Sequence, residues 1–421
     1  MVETDLQTYA MDKALDARKG ARSLATASTP QKNSVLIKMA AEIEKNSAAL
    51  IEANAADVAG AIKKGVSAAL IDRLTLDQKR VGEMAAALRE VSLLNDPVGE
   101  ISNMRRRPNS MMVGRMRVPI GVICMIYEGR PNVTADAAGL CLKAGNATVL
   151  RGGSEAVNSN KAIVEILRDA LQSEGIHPGA VTFIDNTDRA VVMELLKLEG
   201  IIDLVIPRGG QGLIRTVTEN SRIPVLKHYK GVCHVFVDRD ADLDMAAGIC
   251  VNAKTQRPGT CNAMETMLVD EKIAAEFLPR AYKLFKDAGV ELKGCPAALK
   301  ILNDITPAQE ADFHKEYLAL TLNIKIVADF DEAVDHIGRY GSAHTDVIVT
   351  KDHEKAMRFL REVDSAAVMV NASTRLNDGG QFGLGAEIGI STDKIHARGP
   401  MGIEELTCTK FIVLGSGQLR H

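Results

Sequence analysis

The α/β character of this chain is decided by the run Val118-Pro119-Ile120-Gly121-Val122-Ile123-Cys124-Met125-Ile126-Tyr127. An apolar run without polar alternation is typical of a strand that is buried on both faces of a parallel sheet. The turn Glu128-Gly129-Arg130-Pro131-Asn132 follows it, and residues 133–144 then have the apolar spacing of a helix. A short apolar run at 147–150 completes a β-α-β unit. The chain is therefore predicted to contain parallel strands connected by helices.

The same alternation of apolar runs and helical segments continues to the C-terminal part of the chain. Before it, from Leu6 to about Leu94, apolar residues recur at helical spacing. After the first β-α-β unit, strands are predicted at 181–184, 201–206, 223–225, 234–237, 264–269, 324–327, 346–349 and 366–370.

Two extended segments lie outside this alternation. Residues 99–117 alternate apolar and basic residues around Pro108-Asn109-Ser110, which predicts a hairpin, and residues 408–414 form an extended run. Because a basic hairpin of this length cannot bury both faces by itself, we assign it to a subunit contact.

Length and charge limit the functions to consider. A chain of 421 residues is too long for one compact core, so two or three domains are expected. The formal net charge of −3 provides no electrostatic attraction to nucleic acid or a membrane surface, and Arg105-Arg106-Arg107 is interpreted as a solvated or interface face. No signal peptide is predicted in residues 1–20, and the longest apolar run is about half a membrane span.

The cysteines and histidines predict neither a disulfide framework nor a metal site. Seven cysteines are present, an odd number, and several lie in apolar runs, which indicates a reducing compartment such as the cytoplasm. Neither HExxH nor CxxC spacing occurs among the histidines and cysteines. We therefore expect no metal.

One cysteine has a different setting from the others. Cys261 lies in the loop Gln256-Arg257-Pro258-Gly259-Thr260-Cys261-Asn262, between a helix-like run at 241–254 and a strand-like run at 264–269. A thiol in such a polar loop can be reached by solvent, and surrounding backbone N–H groups favour its thiolate form, which is a nucleophile. From these residues alone, a surface turn without chemistry is an equally good interpretation.

A glycine-rich turn marks a candidate phosphate site. Pro207-Arg208-Gly209-Gly210-Gln211-Gly212 follows a predicted strand, at the edge of a parallel sheet where ligands usually bind. Glycines there let backbone N–H groups and a helix N-terminus approach a phosphate. The turn is not a GxGxxG, and alone it is also compatible with a plain turn.

Several stretches, in order and at their observed spacing, resemble the aldehyde dehydrogenase superfamily over essentially the whole chain. The resemblance implies an α/β, aldehyde-dehydrogenase-like fold with two α/β domains, a parallel Rossmann-type cofactor domain and a catalytic domain, plus a β-flap for oligomerisation. The stretches are Val118-Pro119-Ile120-Gly121-Val122, Tyr127-Glu128-Gly129-Arg130-Pro131-Asn132-Val133-Thr134, Pro207-Arg208-Gly209-Gly210, Gln256-Arg257-Pro258-Gly259-Thr260-Cys261-Asn262 and His396-Ala397-Arg398-Gly399-Pro400-Met401-Gly402.

The resemblance also implies domain boundaries and an oligomer of at least two subunits. The expected segments are 1–98 and 118–238 (with part of 371–400) for the dinucleotide-binding domain, 239–370 for the catalytic domain, and 99–117 and 401–421 for the oligomerisation flap.

Site residues follow from the positions that match the superfamily pattern. By this likeness Cys261 is the nucleophile and Asn132 is an oxyanion-stabilising amide. Arg151 occupies the position of a lysine that contacts the adenosine ribose, and Glu316 that of a glutamate that holds the nicotinamide ribose. The residues expected to bind the cofactor are Arg151, Ser154, Gly209, Gly210 and Glu316.

Two departures from the superfamily pattern carry chemistry. The stretch Lys227-His228-Tyr229-Lys230-Gly231 aligns with a motif whose glutamate activates the deacylating water, but it contains no carboxylate. An enzyme that works towards the aldehyde should lack such a base, because hydrolysis would waste its thioester. Ser154 stands where NAD-preferring relatives often have a glutamate, so with Arg151 beside it NADP is favoured. Ser154 can also act as a helix N-cap.

Within the superfamily, the pattern is similar to that of enzymes that reduce an acyl phosphate in proline biosynthesis. This likeness implies NADPH-dependent reduction of L-glutamyl 5-phosphate to L-glutamate 5-semialdehyde with phosphate release. Arg130, Arg257 and Arg398 are the candidates for binding the anionic groups of the substrate. A transient contact with glutamate 5-kinase is a further expectation. The alternatives are a coenzyme A-acylating aldehyde dehydrogenase and, from a different class, a catalytically silent scaffold, against which the intact 256–262 loop argues.

Overall fold

The computed structural model describes residues 2–420, which form two compact units. The first unit comprises the chain through Lys227, the segment Gly383–Gly389 and the chain from Met401 onward. The second unit comprises His228–Phe382 and Ile390–Pro400.

The α-helices are α1 (Val2–Leu24), α2 (Thr29–Lys45), α3 (Ser47–Lys63), α4 (Ala68–Leu74), α5 (Gln78–Leu93), α6 (Asn132–Lys143), α7 (Val157–Ser173), α8 (Ala190–Leu195), α9 (Gln211–Asn220), α10 (Leu243–Thr255), α11 (Glu271–Asp287), α12 (Pro296–Leu299), α13 (Phe330–Tyr340) and α14 (His353–Glu362).

The strands are β1 (Ile101–Arg106), β2 (Met112–Pro119), β3 (Val122–Tyr127), β4 (Ala147–Arg151), β5 (Val181–Phe183), β6 (Leu204–Arg208), β7 (Cys233–Val237), β8 (Met264–Asp270), β9 (Glu291–Gly294), β10 (Thr306–Pro307), β11 (Thr321–Val327), β12 (Thr345–Val349), β13 (Ala367–Val370), β14 (Ile390–Ser391), β15 (Gly399–Pro400) and β16 (Thr407–Leu414).

The first unit is built on a parallel four-stranded sheet in the order β5-β4-β3-β6. The chain runs from β3 outward to β5 and returns to the other side of β3 as β6, so the strand order reverses beside β3. Every residue of β3 is buried. Small side chains let α1 approach this sheet closely: Ala10, Ala14, Ala17 and Ala21 share a core with Val122, Cys124 and Ile126.

The predicted strand 118–127 is divided in the structure. β2 ends at Pro119 and β3 begins at Val122, so the prediction of one continuous strand is wrong. Gly121 lies between them with φ of +133°, a conformation that favours glycine. A Cβ there would lie 2.2 Å from Oδ2 of Asp203, the same oxygen that accepts a 2.7 Å hydrogen bond from the Val122 N–H. Hydrophobicity alone does not reveal such a change of direction.

The flap strands form an antiparallel sheet in the order β1-β2-β16, within the first unit. β16 pairs with β2 along its whole length, from Thr407 opposite Pro119 to Leu414 opposite Met112. The expected hairpin and the expected extended run are therefore adjacent strands of one sheet. Apolar side chains on β16 remain exposed, with Phe411 at 66% and Leu414 at 63% relative exposure.

The second unit is built on a parallel seven-stranded sheet in the order β10-β9-β11-β8-β7-β12-β13. Alternate residues of its central strands face opposite layers of helices, as the two-residue period of a strand requires. On one face Phe236 and Leu268 pack with Phe330 and Phe359 of α13 and α14. On the other face, the shared core contains Val235, Val237, Met267, Val269, Phe277 and Phe285.

Two details differ from the expected layout. Residues 223–225 form no strand but a single β-bridge, between Val205 and Val225. The expected dinucleotide domain ended at residue 238, whereas the first compact unit passes into the second after Lys227 and β7 belongs to the seven-stranded sheet. The assignment of functions to these segments stays a prediction. None of the helices within residues 2–420 combines the length and apolar content needed to cross a bilayer.

Candidate active site

The loop that carries Cys261 connects α10 to β8, and the Cys261 side chain is partly exposed. The Thr260 hydroxyl donates to the carbonyl of Arg257 at 2.8 Å, and the Ala263 N–H donates to the carbonyl of Thr260 at 3.0 Å. These local bonds hold the loop in consecutive turns. The remaining cysteines are buried except for Cys408 on β16. Cys261 is therefore the accessible thiol of the second unit.

A buried ion pair fastens the two ends of this loop. Nζ of Lys254, in the last turn of α10, lies 2.6 Å from Oε2 of Glu265 on β8, and both side chains are fully buried. Glu265 Oε1 also accepts the N–H groups of Tyr317 (3.1 Å) and Leu318 (3.2 Å). Burial raises the pKa of the Glu265 carboxyl, and the Lys254 ammonium opposes this shift. Because these groups satisfy one another, α10, β8 and the 316–318 segment are held together.

Gly231 lies against the Cys261 backbone and is hydrogen-bonded to Glu316. A Cβ on residue 231 would lie 1.7 Å from the Cys261 carbonyl oxygen, so only glycine allows this approach. The Gly231 N–H donates to Oε1 of Glu316 at 2.8 Å. Burial raises the pKa of Glu316, while this backbone bond lowers it. The structure thus brings Glu316 to the stretch in which the sequence shows no carboxylate.

Two histidines converge on the same thiol. One ligand atom each of His228, Cys261 and His344 lies within 4.8 Å of the other two. Nδ1 of His228 is 2.8 Å from the carbonyl oxygen of Ile390, and Nδ1 of His344 is 2.8 Å from the Thr345 hydroxyl. Burial lowers the pKa of His344 to about 3, so that ring is neutral at physiological pH.

Arg375 holds the loop from its other side. Its Nε donates to Oε1 of Gln256 at 2.8 Å, and its Nη1 donates to the side-chain oxygen of Asn262. Asn262 in turn donates to the carbonyl of Asn377 at 2.9 Å. Burial lowers the pKa of Arg375, and the nearby Arg257 adds to this effect. Arg375 therefore connects the residues at both ends of the 256–262 loop.

These residues gather at the amino ends of the parallel strands. Gly231 shortly precedes β7, Cys261 precedes β8, Glu316 precedes β11 and His344 directly precedes β12. The general rule that ligands bind at the carboxyl ends of parallel strands does not describe the position of this thiol. That rule describes ligands at a topological switch point, and here the thiol sits on the helix-to-strand connection instead.

In the first unit, Asn132 begins α6 and its side chain is exposed. Its Nδ2 donates to Oδ2 of Asp136, one helical turn later, at 3.0 Å. Burial raises the pKa of Asp136 to about 6, and this hydrogen bond opposes the shift. Asp136 thus orients the Asn132 amide, and one Nδ2 hydrogen still points elsewhere.

The glycine turn after β6 binds a negatively charged side chain in this structure. The Gly210 N–H, at the start of α9, donates to Oε1 of the exposed Glu128 at 2.9 Å. Glu128 follows β3, so this turn lies at the carboxyl ends of β3 and β6, where the strand order reverses. A dinucleotide fits this edge by strand order and by the N–H groups of the turn. Its phosphate would replace the Glu128 carboxylate.

Arg151 and Ser154 follow β4 on the same edge. Arg151 is 8% exposed; its Nη1 donates to the Gly152 carbonyl at 2.6 Å and its Nη2 to the Thr187 carbonyl at 3.1 Å. Within the described part of the chain, its buried Nε has no hydrogen-bond partner. A cofactor phosphate could take that donor. Ser154 is exposed and begins a 3-10 helix, whereas Gly153 and Ala156 are the capping residues, so the expected N-cap role of Ser154 is wrong.

The three candidate arginines have different settings. Arg130 and Arg257 are exposed. Arg398 is partly buried and forms an ion pair with Asp364, at 2.8 Å to Oδ1. It also donates to the Asp364 carbonyl at 2.9 Å.

Sequence reasoning did not single out His228, His344 or Arg375. His228 lies in the 227–231 stretch, where only the missing carboxylate carried a prediction. His344 and Arg375 had no local signal, since each approaches the Cys261 loop from more than 80 residues away in sequence.

Two parallel sheets, one with a loop-borne accessible thiol, are the arrangement that the resemblance to the aldehyde dehydrogenase superfamily implies. The sequence profile of the aldehyde dehydrogenase family matches residues 4–292. A γ-glutamyl phosphate reductase from Thermodesulfovibrio yellowstonii is 66% identical over 417 residues, which cover 99% of this chain and 100% of that protein. One from Desulfatibacillum aliphaticivorans is 56% identical over 410 residues, covering 97% and 98%. The crystal structure of the Thermotoga maritima γ-glutamyl phosphate reductase matches with a TM-score of 0.96 and 48% identity, over 98% of this chain and 100% of that one.

The chain belongs to the aldehyde dehydrogenase family and, within it, to the group of these γ-glutamyl phosphate reductases. It is an oxidoreductase, and its family uses a nicotinamide cofactor. The fold and the superfamily expected from the sequence are confirmed.

Proposed function

We propose that this chain catalyses the NADPH-dependent reduction of L-glutamyl 5-phosphate to L-glutamate 5-semialdehyde, with release of phosphate, in proline biosynthesis. The near-full-length relatives at 66% and 56% identity carry the name of this reductase. The observation that carries the proposal is the partly exposed Cys261 in a polar loop that is fastened at both ends.

In the first step, the Cys261 thiolate attacks the acyl carbon of the substrate. A carbon–sulfur bond forms, the carbon–oxygen bond to phosphate breaks, and phosphate leaves a thioester behind. The thiol proton passes to His228, which lies near the thiol and is partly exposed, so the proton can continue to solvent. His344 is kept neutral by its burial and does not supply a charge.

The second step is reduction of the thioester, for which NADPH, when bound, would supply the hydride. The carbonyl oxygen gains negative charge in both steps, and the Cys261 N–H and the Asn132 amide are the proposed donors to it. One such donor is typically worth about 3 kcal/mol in the barrier. Breaking the carbon–sulfur bond then releases the aldehyde and regenerates the thiolate.

Cofactor contacts are assigned to the residues that match the family pattern. Gly209 and Gly210 would hold a phosphate, and Arg151 and Ser154 would contact the adenosine ribose, where the lack of a carboxylate at position 154 favours NADP over NAD. Glu316, in the second unit, would hold the nicotinamide ribose.

The substrate carries an α-carboxylate and a phosphate, and arginines suit both. Arg130 and Arg257 are exposed and stay candidates for these groups. Arg398 stays a third candidate, although a substrate group would have to displace its ion pair with Asp364.

The reverse reaction tests the proposal. Glutamate 5-semialdehyde and NADP⁺ are mixed with the protein, and nicotinamide absorbance is followed with phosphate present and absent. We expect NADPH to form only with phosphate. Formation of NADPH and free glutamate without phosphate would contradict the proposed transfer of the acyl group to phosphate, because hydrolysis of the thioester requires a base near Cys261 that activates water.

The same assay separates the two alternatives. Oxidation that requires coenzyme A instead of phosphate would indicate an acylating aldehyde dehydrogenase. A protein inactive in every arm, whose Cys261 is not labelled selectively by a thiol reagent, would indicate a scaffold.

The flap is the proposed contact between subunits. Members of this family are typically oligomeric, and the exposed Phe411, Val413 and Leu414 on β16 fit a contact with a second copy. Replacing Phe411 and Val413 by serine should lower the mass measured by light scattering.

A transient contact with glutamate 5-kinase would protect the labile acyl phosphate. Faster turnover when the two enzymes are mixed than when they work in separate steps would support this contact. The seven free cysteines favour the cytoplasm as the compartment.

A further inference from the structure

Three side chains of types that can bind a metal come from separate loops and lie close together. His228 lies before β7, Cys261 before β8 and His344 before β12, and one ligand atom of each lies within 4.8 Å of the other two. Local spacing in the sequence cannot reveal this set, because no two of these residues are neighbours along the chain.

An unpartnered buried nitrogen is the second observation. His344 is 0% exposed, and no residue of the described chain forms a hydrogen bond with its Nε2. Its Nδ1 is bonded to the Thr345 hydroxyl, which also accepts the Asn377 amide at 2.7 Å. Thr345 thus orients the ring and leaves Nε2 as the nitrogen available to a ligand. A buried polar atom without a partner is costly, and a bound cation would remove that cost.

His228 has the same kind of orienting contact. Its Nδ1 faces the Ile390 carbonyl at 2.8 Å, so Nδ1 carries the proton and Nε2 presents a lone pair. A backbone carbonyl on the second ring nitrogen is one of the usual ways in which a metal-binding histidine is oriented.

We propose that His228, Cys261 and His344 form a three-ligand Zn²⁺ site that reversibly blocks the nucleophile. Two imidazole nitrogens and a thiolate suit Zn²⁺, whereas Mg²⁺ and Ca²⁺ require oxygen ligands. On binding, a Zn–S bond forms and the thiol releases its proton to solvent. The thiolate lone pair is then engaged by the metal and cannot attack an acyl carbon.

The geometry requires a small closure around the ion. Zn–N and Zn–S bonds of about 2.1 and 2.3 Å place the ligand atoms roughly 3.5 Å apart in a tetrahedral site. The three ligand atoms, which now lie within 4.8 Å of one another, would therefore have to approach by about 1 Å. His228 and Cys261 are partly exposed, which provides an access path and leaves the fourth position to water.

Binding is tested first without any enzyme assay. Tag-free, chelator-treated protein in a phosphine reductant is titrated with Co²⁺ and then with Zn²⁺. We expect one Co²⁺ per chain, with a thiolate-to-cobalt charge-transfer band and the visible bands of a tetrahedral site, and both should disappear as Zn²⁺ displaces Co²⁺. Cys261→Ser should lose the charge-transfer band, and His228→Gln should weaken binding by at least about tenfold. The matched controls Cys408→Ser and His353→Gln, both at exposed residues, should bind like the wild type.

The inhibition experiment rests on the proposed function, and its result is interpreted separately from that of the binding experiment. Zn²⁺ should inhibit the phosphate-dependent oxidation, a chelator should restore it, and pre-bound Zn²⁺ should slow alkylation of Cys261. Absence of the charge-transfer band in the wild type, or its persistence in Cys261→Ser, would overturn the site. A normal band together with full activity at saturating Zn²⁺ would overturn the blocking role.

Discussion

The backbone of Gly231 lies against the Cys261 carbonyl so closely that a Cβ on residue 231 would be 1.7 Å from the carbonyl oxygen. The same glycine donates its N–H to Glu316 at 2.8 Å. One residue without a side chain therefore sets the position of the proposed nucleophile relative to a partly buried carboxylate.

Gly231→Ala should displace the Cys261 loop, because the carbonyl cannot accept a methyl group at that distance. A misplacement of about 1 Å can cost about a hundredfold in rate, so we expect kcat/KM to fall by roughly that factor. Gly248→Ala is the matched control: it lies in α10, and apart from its chain neighbours and the backbone of its own helix no described atom lies within 4 Å of its added Cβ. It should leave activity unchanged and stabilise the protein by about 0.5–1 kcal/mol. Full activity in a folded Gly231→Ala protein would show that this contact does not position Cys261.

Cys261→Ala should abolish reduction, because this variant lacks the sulfur that is proposed to form the thioester. NADPH binding, measured by fluorescence titration, should remain largely intact because the cofactor contacts are assigned to other side chains. Turnover retained in this variant would exclude the mechanism. Cys408→Ser, at the exposed cysteine on β16, should be fully active.

Arg375→Gln should lower both activity and the reactivity of Cys261. The guanidinium bonds to Gln256 and Asn262 would be lost, and bonds that involve a charged group are worth about 1.5–3 kcal/mol. We expect a decrease of about ten- to a hundredfold in kcat/KM and a changed rate of alkylation by iodoacetamide. Arg280→Gln removes a largely exposed ion pair with Asp244 and serves as control. Equal alkylation rates in the two variants would contradict a role of Arg375 in holding the loop.

Lys254→Met should destabilise the second unit strongly. Glu265 would stay buried without its cation, and removing one partner of a buried pair typically costs about 3–5 kcal/mol. Chemical denaturation at neutral pH measures the loss. Lys286→Met, whose ion pair with Asp304 is exposed, should leave the unfolding midpoint unchanged. A Lys254→Met protein as stable as the wild type would mean that Glu265 is protonated in the folded state.

The fold could be predicted where local pattern and tertiary environment agree. β3 is apolar at every position because both faces of its sheet are covered, so residues 122–127 were recognisable as a buried strand. The break before it was not, since it depends on the backbone of Gly121 and the carboxylate of Asp203, which is distant in sequence. Residues 223–225 have strand-like side chains but find only one bridge partner.

Only those parts of the candidate site that lie within one loop could be predicted from the sequence. The polar loop around Cys261 stood out by its own residues. The neighbours of the thiol did not. His344 and Arg375 are distant from the loop in sequence, and only the pairing of parallel strands in the sheet brings them near it. For the same reason, no metal-ligand spacing in the sequence indicates the three proposed ligands, which precede three different strands.

The pH dependence of stability should reveal Asp136. Burial raises its pKa from 3.8 to about 6 in the folded protein, against the hydrogen bond from Asn132. A carboxyl with a raised folded pKa contributes stability fully below its unfolded pKa of about 4, and this contribution is lost as the pH rises through about 6. The Tm of the wild type should therefore fall relative to that of Asp136→Asn between these pH values and differ by a constant amount above them. Differential scanning fluorimetry across this range measures both proteins, and parallel curves would show that Asp136 ionises as easily in the folded chain as in the unfolded one.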